Sequence, residues 1–136
     1  MTFSIPTSFA LLIARICASA IFIVQGFSKL THMKATVQAF TRLSLPSPHA
    51  AYWIAVAVEL GCGLLLIFGL KARFAAGVLA VFCIATAMLA HADLANMGQQ
   101  IQFLKNLSMA GGFIALAAVG AGHFSVDTKI ASIPRE

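Results

Sequence analysis

Six polar residues stand out against an otherwise apolar chain: Arg15, Lys29, Glu59, His91, Lys105 and Asn106. Glu59 is the only acidic or basic side chain in the run IAVAVELGCGLLLIFGL, residues 54 to 70, while Arg15 interrupts an earlier run and Lys29 follows it. His91 ends a third run, and Lys105 and Asn106 open a fourth. Ammonium, guanidinium and amide donors gathered around a carboxylate suit an electron-rich or anionic group, such as a quinone carbonyl, a carboxylate or a sulfur oxyanion. A histidine adds a group that titrates near neutral pH. Glu59 and His91 are thus the candidates for acid/base catalysis, and all six for ligand binding.

The elements that must position these groups belong to a membrane protein. Hydrophobic residues make up 60% of the chain, charged residues 10%, and the mean hydropathy is +0.94; an ordinary soluble domain is about a quarter charged. At roughly 20 residues per span, 136 residues hold at most four crossings. The runs at 8–28, 50–70, 74–91 and 103–122 predict an all-α, four-transmembrane-helix antiparallel bundle, a single domain over 1–136. The tight KAR at 71–73 joins the second and third helices. In the linker 29–49, Met33, Val37, Phe40 and Leu43 recur at helical spacing, which predicts a short interfacial helix ended by LPSPH. Tyr52 and Trp53 fall where an aromatic belt would lie. The ASA at 18–20 resembles a signal-peptidase site but lacks a basic region before it, so the first helix is expected to be retained.

Net charge of +5 raises the question of nucleic acid, but the nine basic residues are scattered singly and form no patch, so nucleic acid is excluded. Cys17, Cys62 and Cys83 sit alone in apolar runs, and no CxxC or Cys/His cluster points to a metal. Small packing residues are the simpler reading for all three. Parity places the N-terminus, the KAR turn and the C-terminal tail on one side, with Lys71, Arg73, Lys129 and Arg135. The positive-inside bias then predicts that both termini are cytoplasmic.

Depth along the helices predicts how the charges meet. Arg15, Ser19, Phe22, Gly26 and Lys29 share one stripe of the first helix. Measured from the non-cytoplasmic mouth, Glu59 lies about 13 Å and Arg15 about 20 Å down at ~1.5 Å per residue. A buried Arg15–Glu59 ion pair is the expectation, because an unpaired charge at the bilayer centre costs at least ~2.5 kcal/mol. Lys29, His91, Lys105 and Asn106 converge on the mouth and line a polar pocket there; the simpler alternative for the lysines is snorkelling to the interface. ELGCG and SMAGG predict close helix approach through small residues. Gly120 and Gly122 follow no strand and read as a helix C-cap, not a phosphate loop.

The segments LLIARI and IFIVQGFSKL in the first helix, VELGCGLLLIFGLKAR in the second, His91, and QIQFLKNLSMAGGFIALAAVGAGHFSVD in the fourth together resemble the DoxX family of small bacterial membrane proteins. The resemblance spans nearly the whole chain. It implies a four-helix fold in the bacterial inner membrane and a polar centre made of Arg15, Lys29, Glu59, His91, Lys105 and Asn106. It also implies a place among membrane redox systems, since the family is associated with quinol oxidase, thiosulfate oxidation and oxidative-stress responses. Three readings follow. The first is a ligand-binding or accessory subunit of a quinone, thiol or sulfur redox system, with redox partner subunits and a quinone as the possible cofactor; an oligomer is compatible with it. The second is an intrinsic membrane oxidoreductase acting on a quinone or thiol, and the third a small proton-coupled exporter. No flavin, haem or iron–sulfur signature is present, and His91 has no second axial candidate at a facing depth.

Overall fold

A computed structural model describes residues 6–132. Helix α1 spans Thr7–Thr31 and α2 spans Met33–Arg42. The second crossing, Pro48–Phe68, consists of α3 (Pro48–Val56), a π-helical segment (Ala57–Cys62) and α4 (Gly63–Phe68). Helices α5 (Ala72–Ala90) and α6 (Met97–Val119) follow, and the short α7 (Val126–Ala131) closes the described chain. Among the described residues, four helices are long and apolar enough to cross a membrane, as the sequence predicts: Thr7–Thr31, Pro48–Phe68, Ala72–Ala90 and Met97–Val119.

The fourth crossing starts six residues earlier than hydropathy alone places it. Asn96 caps α6, its side-chain oxygen accepting from the backbone N–H groups of Gly98 (2.9 Å) and Gln99 (3.2 Å). A satisfied N-terminus lets the polar GQQ segment join the helix. In the linker, α2 buries no residue and packs against α3, as an interfacial helix should. Tyr52 departs from the aromatic-belt expectation: it is buried, and its hydroxyl donates to the Lys29 carbonyl at 3.1 Å. Trp53 alone is exposed.

The core lies among α1, α4, α5 and α6. The α5 face of Ala72, Ala75, Ala76, Leu79, Ala80 and Cys83 is buried, and α5 packs most extensively on α6. Phe22 from α1 meets Phe113 edge-on at a centroid distance of 5.4 Å and Phe82 at 6.5 Å. This corrects the small-residue expectation for the fourth helix: Ser108, Gly111 and Gly112 are exposed, and a Cβ at either glycine would meet nothing within 4 Å. The close approach uses alanines of α5 and Ala110 of α6 instead, because a methyl group admits the neighbouring helix and retains dispersion contact. In ELGCG, Gly63 packs on Phe22 and Ile23 while Gly61 is open. Cys62 and Cys83 are buried core residues, as expected; Cys17 is exposed on α1.

One end of the bundle is closed by polar contacts to backbone. Gly69 ends α4 at φ 66°, where a side chain would collide with the Arg15 guanidinium. The Asp127 carboxylate accepts from the N–H groups of Lys71 (2.8 Å) and Ala72 (3.0 Å), capping α5 from a distant part of the chain. Arg73 donates to the carbonyls of Ala117 (3.1 Å), Ala118 and Val119 (3.0 Å) at the end of α6. Gly120 is that helix's C-cap at φ 92°, in keeping with the C-cap reading. Of the four basic residues assigned to this side, Arg135 lies outside the described residues.

Candidate functional site

Five of the six candidate residues come together at the opposite end. Lys29, Glu59, His91, Lys105 and Asn106 line one cavity of about 260 Å³ between α1, the π-helical segment, α5 and α6. Gly26 permits this: a Cβ there would fall 2.7 Å from Leu60 Cγ and 3.2 Å from Glu59 Cβ. The close approach brings Lys29, one turn further along α1, beside the carboxylate. Its ammonium lies 3.0 Å from Oε1, to which it donates, and 2.9 Å from Oε2. Tyr52 fixes the Lys29 backbone from beneath.

Arg15 does not pair with Glu59. Its guanidinium is fully buried at the other end and donates to the carbonyls of Leu66 (3.0 Å), Ile67 (3.5 Å) and Phe124 (2.5 Å). The reason is reach: Arg15 and Lys29 are fourteen residues apart on one helix, about 21 Å at 1.5 Å per residue. Glu59 lies at the level of Lys29, whose stem extends down from the mouth. The last carbonyls of α4 attract the guanidinium instead, the Leu66 carbonyl accepting from it as well as from the Gly69 N–H. Arg15 thus binds the protein's own backbone and does not line the cavity.

The π-helical segment carries Glu59. Its wider i→i+5 spacing re-aims side chains relative to the flanking α-helix, and such segments recur at functional sites. Glu59 is 5% exposed, yet its Oε2 has no aligned hydrogen-bond donor despite the nearby ammonium. His91, just past the end of α5, places Nδ1 2.6 Å from Oε1 of Gln99. An amide oxygen only accepts, so in this contact Nδ1 is the donor. Asn106 is nearly buried and donates to the Gln102 carbonyl at 3.0 Å, while Lys105 is exposed. Ser19, fully buried on α1, has a hydroxyl with no partner among the described residues.

Sequence reasoning missed Gln25, Thr86, Gln99 and Gln102. Gln25, Thr86 and Gln102 line the cavity, while Gln99 acts through His91. The signal was periodicity: Phe22, Gln25 and Lys29 share a face of α1, Phe82 and Thr86 one of α5, and Gln102, Lys105, Asn106 and Met109 one of α6. Uncharged polar residues at these spacings draw less notice than charges. Among the described residues, no three His, Cys, Asp or Glu side chains come together to hold a metal ion.

The DoxX family model matches residues 10–92, from α1 to the residue after His91. The chain belongs to the DoxX family. It is 34% identical to the inner membrane protein YqjF of Escherichia coli over 85% of this chain and 88% of that protein. It is 36% identical to YphA, a second E. coli inner membrane protein, over 88% of this chain and 89% of that one. A third relative, named "Putative oxidoreductase CatD" in Bacillus subtilis, is 33% identical over 85% and 83% of the two chains. No solved structure matches this DoxX protein significantly.

Proposed function

We propose that this DoxX protein is a ligand-binding or accessory subunit of a membrane redox system, a single domain in the inner membrane that works with redox partner subunits. The observation that carries the proposal is the 260 Å³ cavity in which Lys29, His91, Lys105 and Asn106 meet a buried Glu59. A largely buried ion pair beside a polar cavity is a costly arrangement for packing alone. Lys105 and Lys29 supply positive potential, His91 and Asn106 lie close to the same space, and Phe82 and Met109 give it an apolar wall. Such a lining recognises an electron-rich or anionic head, as a quinone, carboxylate or sulfur oxyanion presents. The E. coli relatives are inner membrane proteins by name, which supports the location. Cytoplasmic termini remain part of the proposal, and a reporter active only outside the cytoplasm, fused after Glu136, should stay silent.

The Bacillus relative's name favours a second reading, an intrinsic oxidoreductase with His91 as the proton-transferring group. One experiment addresses both. In purified protein, ligand-induced thermal stabilisation by quinol or thiosulfate should vanish in Lys105→Gln and His91→Gln, with both variants folded. Undiminished stabilisation in both would place the site elsewhere. Turnover in the parent that is lost in His91→Gln, with binding retained, would favour the oxidoreductase.

A further inference from the structure

A second recess adjoins the polar cavity. It is a groove of about 530 Å³ between the segment after α2, the second crossing and α5, and its walls include Phe40, Leu45, Ala51, Ala55, Ala85 and Leu89. Lys29, Glu59, Phe82 and Thr86 line both spaces. The Lys29–Glu59 pair therefore stands at a junction, with a polar cavity on one side and an almost wholly apolar groove on the other. Ile54 and Leu89 on the groove are 61% and 59% exposed, so it opens along flanks of helices that cross the bilayer.

Building on the proposed ligand site, we infer that cavity and groove form one site for a single-chain amphiphile. Its compact head carries both a hydrogen-bond donor and an acceptor, and it enters sideways from the bilayer. The head enters the polar cavity, where a hydroxyl can donate to the Glu59 carboxylate that lines it and an oxygen can accept from Lys105. The chain lies in the groove. A chainless water-soluble anion would leave the groove unused. Together the spaces fall within the roughly 300–1,000 Å³ of ordinary ligand sites. Lipid tails are as apolar as the groove, so the groove contributes orientation and selection by shape, and the head contributes affinity.

Binding is measured on the full-length protein in phosphatidylcholine nanodiscs, with empty discs subtracted and ligand expressed per lipid so that partitioning cancels. The probes are decyl-hydroquinone and lauric acid, against their chainless counterparts hydroquinone and acetate. At least one chain-bearing probe should bind saturably, tenfold or more tighter than its counterpart, and the one that does distinguishes a phenolic from a fatty-acid source. Ala51→Trp, or Ala85→Phe from the facing wall should Ala51→Trp not fold, should weaken that probe about tenfold. Lys105→Gln should weaken the chain-bearing probe as well. Equal binding with and without the chain, untouched by groove substitutions but lost in Lys105→Gln, would overturn the amphiphile while leaving the polar site intact. Absence of saturable binding by both chain-bearing probes would also overturn it, and binding indifferent to Lys105→Gln would remove the proposed site as well.

Discussion

The two ends of this bundle use similar residues for opposite purposes. At the closed end, Arg15 and Arg73 donate to carbonyls at the ends of α4 and α6, and Asp127 accepts from the start of α5. Each charge there bonds to backbone, most of it at helix termini. At the open end the charges face one another and a cavity, Glu59 keeps an acceptor oxygen without an aligned donor, and Lys105 remains exposed. A guanidinium spreads several donors over several carbonyls, whereas an ammonium on a flexible stem can leave one partner for another. The difference lies in what holds each charge: backbone groups at the closed end, and another side chain beside a cavity at the open end.

The sharpest way to break this comparison is Arg15→Met. It removes the donors to Leu66, Ile67 and Phe124 in a fully buried place, and should cost about 3–5 kcal/mol, since each charged hydrogen bond contributes roughly 1.5–3. Unfolding in detergent measures it; a loss below 1 kcal/mol would mean that these bonds are not structural. Next in size is a double-mutant cycle at the other end. Lys29→Met and Glu59→Gln should couple by about 1–2 kcal/mol, whereas Arg15→Met and Glu59→Gln should add within ~0.5. Coupling in the second cycle and none in the first would restore the Arg15–Glu59 pair.

Asp127→Ala tests the closed end more gently. Loss of its two backbone bonds at the start of α5 should cost about 1 kcal/mol, with ligand binding at the far cavity unchanged. A larger effect on binding than on the melting temperature would show the two ends to be linked. The smallest effect is expected for Gly112→Ala, where a Cβ meets nothing within 4 Å. Its stability should stay within ~0.5 kcal/mol of the parent, and a clear loss, read in the same unfolding assay, would give Gly112 the packing role that the structure withholds from it.

Composition and periodicity alone determined the membrane setting, the four crossings and the interfacial helix. The physical reason is local: a span needs only enough consecutive apolar residues, and α2 needs only an apolar face at helical spacing. Five of the six polar candidates were also legible, because a charge in an apolar run has so few places to go. Tertiary structure decided the partners. Depth counted along separate helices could not say that Lys29 reaches Glu59 or that Arg15 turns to the Leu66 carbonyl, since this depends on how far α1 slides along the second crossing. Gly26 sets that register through its contact with Leu60. The π-helical segment likewise has no motif in AVELGC, and it arises where the second crossing packs against α1 and α5 at once. Cavity and groove meet at Lys29 and Glu59 only because five segments, distant in sequence, surround that pair.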